Sequence, residues 1–133
     1  MDKRLSSILP KVQKPARYTG GEYNQIIKSL DDVNLRIALC FPDTYEIGMS
    51  NLGIKILYGI FNKMDKVWCE RVFAPWSDME NEMRNAGIPL YGLESGDPIK
   101  NFDIIAFSIG YEMAYTNVLN MLDLAGLPVK SAD

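Results

Sequence analysis

The sequence predicts an α/β fold of three layers, with helices on both faces of a parallel sheet. Three observations carry this reading. Leu35–Phe41 is a near-continuous apolar run, as a strand buried on both faces requires. Val67–Phe73 and Asp103–Ile109 are further strand segments of the same kind. Between and after them the apolar period changes to that of a helix, so strands alternate with helices and right-handed βαβ units follow.

Taken in order, residues 1–34 form a polar, mixed arm interrupted by Pro10, Pro15 and the pair Gly20–Gly21. Leu5, Ile8 and Leu9 are spaced for one helical turn. Tyr23, Ile26, Ile27 and Leu30 are spaced for a short helix before Asp31 and Asp32. Such a lead-in is either an arm that packs on something or a loosely ordered terminus. Residues 35–133 form the α/β domain proper. Pro42 ends its first strand and a polar loop follows. From Ser50 onward Leu52, Gly53, Ile56, Leu57, Ile60 and Phe61 fall on one helical face, with Lys55, Asn62 and Lys63 off it. Ser50 or Asn51 is the N-cap. Gly53 costs such a helix about 1 kcal/mol against alanine, which points to close approach to the sheet.

Pro75 closes the second strand. Ser77-Asp78-Met79-Glu80 reads as a capping box, and Gly87 ends the helix it opens. Ile88–Tyr91 is a weak strand that Pro89 demotes to an edge, and Glu94 to Asn101 is a loop. In the last helix Ala114, Val118, Met121, Leu122 and Ala125 share one face, and Gly126 follows. The order is that of a doubly wound, Rossmann/flavodoxin-like sheet with 35–41 at its centre. The final helix leads toward another strand that the sequence does not contain. The domain is therefore expected to stop before its last strand, leaving an edge open to a partner or to self-association.

Composition narrows the function. The 133 residues carry 14 Lys plus Arg and 17 Asp plus Glu, a formal net charge of −3 with no basic run. That excludes nonspecific binding to nucleic acid or to an anionic membrane. With no histidine, the chain holds neither a Ser-His-Asp nor a Cys-His machine, nor any imidazole metal ligand. Its two cysteines are too few for a zinc site or an iron–sulfur cluster of its own. Cys40 and Cys69 sit in apolar strands and read as small buried hydrophobes of a reducing compartment; a disulfide between neighbouring strands is the alternative. No signal peptide or membrane span is evident, and the cytoplasm is the expected location.

In an open α/β sheet, ligands bind beyond the carboxyl ends of the strands at the switch point. Two loops stand there: Phe41 to Asn51, and Ser108 to Glu112. Both combine small residues with hydroxyls and carboxylates. Neither a G-x-G-x-x-G fingerprint nor a Walker A loop is present. The acidic Asp43-Thr44-Tyr45-Glu46 segment is a poor phosphate cradle, and Asp103 lies at the wrong end of its strand for a phospho-acceptor.

Asp43-Thr44-Tyr45-Glu46-Ile47-Gly48 has the spacing of the D-x-H-x-x-G loop of cobalamin-binding domains, with Tyr45 in the place of the histidine. Ser108-Ile109-Gly110 stands where those domains carry S-x-L. The blocks Lys14–Asn24, Phe41–Gly53 and Trp68–Trp76 resemble the amino-terminal region of a family of radical SAM proteins with a B12-binding-like domain. The resemblance implies a cobalamin-binding-domain-like fold ahead of a radical SAM barrel, with Asp43, Thr44, Tyr45, Gly48, Ser50, Ser108 and Gly110 facing the cofactor. Cobalamin held this way receives no histidine from the chain. A [4Fe–4S] cluster and S-adenosylmethionine belong to the downstream domain, which is the expected partner. No catalytic residue and no metal ligand is expected within these 133 residues. The alternative is a ligand-free interaction or substrate-access module packed on the barrel.

Overall fold

The computed structural model describes residues 2–132. Its elements are α1 (Lys3–Ile8), β1 (Leu35–Phe41), α2 (Tyr45–Ser50), α3 (Leu52–Lys63), β2 (Val67–Phe73), α4 (Ser77–Ala86), β3 (Ile104–Phe107) and α5 (Ala114–Leu124). Short 3-10 turns cover Leu9–Lys11, Pro15–Tyr18, Leu30–Asp32 and Ile99–Asn101. The sheet is parallel with order β2-β1-β3, so the strand read as central is central. Among the described residues, no helix is long and apolar enough to cross a membrane.

Alternation along β1 divides the core in two. Ala38 and Cys40 point to one face, where α1, α4 and α5 supply Leu5, Ile8, Met79, Met83, Met121 and Leu124. Ile37 and Leu39 point to the other, where α3 supplies Ile54 and Tyr58. These are the three layers of a Rossmann/flavodoxin-like fold. Cys40 and Cys69 are free and buried, and they lie in the two different clusters, on opposite faces of the sheet. Burial pushes both thiols up, Cys69 to about 12.

Several local expectations need correction. The loop after β1 contains the helix α2. Of the two caps read for α3, Asn51 is the one used, its side chain accepting from the Ile54 amide at 3.0 Å. The apolar face of α3 is rotated from the expected one: Ile54 and Tyr58 are buried, whereas Leu52, Ile56 and Ile60 are exposed. Ser77 is the first residue of α4 rather than its cap, and the carbonyl of Trp76 accepts from Glu80 N at 2.9 Å, so the capping box does not form. Gly87 does end α4, with φ +65°. Ile88–Tyr91 is not a strand; only Tyr91 makes a bridge, antiparallel to Pro98. No helix forms over residues 23–29, because the backbone there serves the body of the domain. Ile26 N donates to the Tyr58 hydroxyl at 2.7 Å, and its carbonyl accepts from the Trp68 indole at 2.9 Å. The arm thus packs on its own domain, with Tyr18 buried beneath it.

Two charges stand in the middle of β2. Glu70 and Arg71 are 0% and 3% exposed. Such groups are stable only when paired and hydrogen-bonded, and the turn after Leu90 supplies the partners. Glu94 takes Arg71 Nε at 2.7 Å and Arg71 N at 2.8 Å, while Leu93 N donates to Arg71 O at 2.8 Å. Glu70 accepts from Arg36 Nη2 and, at 2.8 Å, from Ser95 N. Arg36 also pairs with Asp97 at 3.0 Å and stacks over Trp68 and Phe102. Residues 92–97 therefore stand where another strand would pair with the outer edge of β2. Gly92 must lack a side chain, since a Cβ there would lie 2.7 Å from Glu70 Oε1.

Removing one member of such a buried pair typically costs about 3–5 kcal/mol. Glu94→Ala should destabilise the domain by about 3 kcal/mol or more in urea unfolding, while Glu94→Gln, which keeps an acceptor for Arg71 N, should cost less. Equal midpoints for wild type and Glu94→Ala would contradict this assignment.

Candidate functional site

β1 ends at Phe41 and the chain turns through Pro42 to Asp43. The Asp43 side chain accepts from Thr44 N at 2.7 Å, and its carbonyl accepts from Ala74 N at 2.9 Å, which ties the loop to the end of β2. Asn117 of α5 donates to Pro42 O at 2.9 Å. On the other side, Ser108 N donates to Cys40 O at 3.0 Å and closes the end of β3 onto β1. Between these loops, at the switch point, lies a crevice of about 200 Å³ lined by Phe41, Asp43, Asn51, Ser108, Gly110 and Tyr111. A Cβ built at Gly110 meets nothing within 4 Å, so that backbone faces open space.

The seven residues read as ligand-facing separate into groups. Asp43, Ser108 and Gly110 meet in the crevice. Thr44 lines a neighbouring hollow of about 210 Å³ with Trp76, Glu80 and Asn117. Ser50 donates its hydroxyl to Glu46 O at 2.7 Å, within its own helix. Gly48 is buried against Phe73, whose Cε1 would lie 2.1 Å from a Cβ. That packing accounts for the glycine. Tyr45 packs edge-on against Phe73, with ring centroids 5.7 Å apart, and its hydroxyl donates to Glu22 of the arm. Tyr45 lines a small cavity beside Tyr18, Arg71 and Tyr91, not the crevice. Burial, with help from the Glu22 carboxylate, pushes the Tyr45 phenol up to about 12.

Glu46 is likewise committed. It accepts from Arg17 Nε at 2.6 Å and lies 3.8 Å from Lys14, and the Arg17 hydrogen bond holds its carboxyl below the usual range. The acidic loop therefore anchors the arm through Glu46 and Tyr45. Sequence reasoning missed this, along with the ionic clasp at Glu70 and Arg71. The signal for the clasp was present: two adjacent charges inside an otherwise apolar seven-residue strand.

The rim of the crevice is apolar and aromatic. Ile109, Tyr111, Met113 and Tyr115 are exposed beside it, Met113 by 80%, and Leu52 follows its cap Asn51 in the crevice wall. Among the described residues, no three of Asp, Glu and Cys gather as a metal site. The arrangement offers hydrogen-bonding groups beside an apolar, aromatic surface.

The fold is that of a doubly wound α/β domain with an open crevice at the switch point of its sheet. Over residues 53–133 the chain matches the family described as the N-terminal region of radical SAM proteins, and it belongs to that family. No curated protein and no solved structure matches it. Trp68–Trp76 lies within the matched region, whereas the arm and the whole of the Asp43–Gly48 loop precede it.

Two predictions follow from the loop geometry. Gly48→Ala should cost about 1–3 kcal/mol through overpacking and be largely rescued by Phe73→Leu, read by thermal unfolding of both variants. A glycine kept for a ligand would show no rescue. The second concerns Tyr45, whose phenol is raised from 10.0 to about 12. A group raised on folding contributes stability that is complete below its unfolded pKa and is lost as pH rises through its folded one. Between pH 10 and about 12 the wild type should therefore lose stability that Tyr45→Phe does not lose, measured by urea unfolding across that range.

Proposed function

We propose that this chain is the non-catalytic amino-terminal module of a radical SAM enzyme, a cobalamin-type domain retained as an interaction and substrate-access module. The family match supports a catalytic domain following in the parent chain. The crevice and its apolar rim at Ile109, Tyr111, Met113 and Tyr115 are the surface turned to that domain.

The observation that carries this reading is the state of Tyr45. It occupies the histidine position of the cobalamin loop, yet its hydroxyl is bound to Glu22 and its ring to Phe73. To reach the crevice it would have to break both. The donor set therefore does not fit a cobalamin held by a protein ligand on cobalt, and no step is assigned to that group. Cys40 and Cys69 are buried on opposite faces, so the cluster and S-adenosylmethionine of a radical SAM enzyme are assigned to the catalytic domain. The second reading, cobalamin seated over the crevice without an axial side chain, is favoured by the crevice's place at the switch point.

Metal analysis separates the two. The parent protein, purified anaerobically, should contain iron and sulfide with cobalt well below stoichiometry. Hydroxocobalamin added to the 133-residue chain should keep its free visible spectrum and elute apart from the protein on a sizing column. Cobalt near one equivalent would overturn the interaction-module reading in favour of the cofactor-bearing one.

A further inference from the structure

The ionic clasp at the β2 edge leaves one guanidinium incompletely used. The Arg71 side chain is 4% exposed and can only donate. Its Nε donates to Glu94 at 2.7 Å, and its Nη1 approaches Met49 Sδ at 3.5 Å. The ring of Tyr58 covers one face of the group at 4.3 Å. Nη2 is buried and has no hydrogen-bond partner among the described residues. A buried donor left in this state costs about 1–3 kcal/mol, more when it is charged, so an acceptor is expected beside it.

The small cavity at this edge supplies the space. Arg71 lines it, whereas Glu94 and Met49 do not, so Nη2 is the nitrogen left to face it. The cavity holds about 30 Å³. One water needs about 10–15 Å³, which leaves room for about two water-sized atoms. Arg17 and Tyr18 of the arm, Tyr45 of α2 and Phe73 of β2 complete the wall, with Leu93 from the covering turn.

The chemistry of that wall is one-sided. Its polar side chains are guanidinium and phenol groups, and no carboxylate or side-chain amide lines it. The Tyr18 hydroxyl accepts from Trp76 N at 3.2 Å and keeps its own proton to give. Glu94, Glu46 and Glu22 hold Arg71, Arg17 and Tyr45 from outside the cavity. A water in the cavity would therefore meet donors for its oxygen and no carboxylate or amide side chain to take its protons. A group that only accepts matches the wall. Each guanidinium is already balanced by one carboxylate, so the site suits a single negative charge and not a dianion such as sulfate or phosphate. A planar carboxylate matches the guanidinium edge, and Phe73 and Leu93 offer apolar surface to its carbon end.

We propose that this cavity binds a small monocarboxylate, of formate or acetate size, with one oxygen on Arg71 Nη2 and the other toward Arg17 and Tyr18. The site is separate from the crevice and goes beyond the interaction-module reading. Its ligand joins the arm to β2 and α2.

Sodium acetate is the probe, replacing sodium chloride at constant ionic strength with the 133-residue chain. The thermal midpoint should rise and then level off as acetate replaces chloride, and the acetate methyl protons should show saturation transfer from the protein. Formate should displace acetate, whereas pivalate, too bulky for the cavity, should not. Ala74→Leu, which fills the cavity from its wall, should abolish both signals. Arg17→Met, which leaves the Arg71–Glu94 clasp in place, should weaken binding about tenfold and decides the matter if Ala74→Leu fails to fold. No saturation transfer and no change of midpoint with acetate or formate would overturn the proposal and assign water to the cavity. Chloride competing as well as formate would overturn it as well. Signals unchanged in both variants would place acetate elsewhere and defeat the assignment.

Discussion

Everything at the β2 side of the domain depends on the answer to one electrostatic problem, the burial of Glu70 and Arg71 in the middle of a strand. Taking two charges out of water costs several kcal/mol each unless partners are fixed in place. The turn at residues 92–97 fixes them, and in doing so it occupies the strand edge. Arg36, Trp68 and Phe102 are drawn in on one face, and Tyr58 on the other. Burial pushes the Glu94 carboxyl up while Arg71 pulls it down, with burial the larger effect. The pair thus contributes position more than net stability, since an apolar pair of similar volume often does as well energetically.

That fixed edge sets the rest of the architecture. With β2 closed, the arm has a surface to lie on, running from Arg17 and Glu22 at the α2 end to Lys28 at the Val67 end. The arm in turn immobilises Tyr45 and Glu46, the two residues of the acidic loop after β1 with the most chemistry to offer. What stays open is the crevice between β1 and β3, its apolar rim, and the free edge of β3 among the described residues. The β2 edge is closed by its buried charges, whereas the β3 side leaves apolar side chains exposed.

Much of this was legible in the residues. β1 and β2 were readable to the residue because apolar runs bounded by proline have few alternatives, and the central place of β1 followed from its burial. The α3 segment was legible as a helix but not in its rotation: Leu52, Ile56 and Ile60 outweigh Tyr58 and Asn62 in apolar character, yet Asn62 pairs with Cys69 and Tyr58 with Arg71. Those tertiary contacts turn the helix, and no local pattern reports them. The same holds for Ser77, which has the chemistry of a cap but lies one residue inside. In the candidate site, Asp43, Ser108 and Gly110 converge as strand ends must. Tyr45 and Gly48 turn away because Phe73 and Glu22, distant in sequence, claim them.

A double-mutant cycle on Arg71 and Glu94 tests the central claim most directly. Arg71→Met, Glu94→Met and the double variant would be unfolded in urea. If the clasp organises this edge, each single change leaves a buried charge unpaired, and the double variant is more stable than additivity allows, with a coupling energy of about 1.5–3 kcal/mol. Additive effects within about 0.5 kcal/mol would mean that the two residues act independently, and the account of the β2 edge would be wrong.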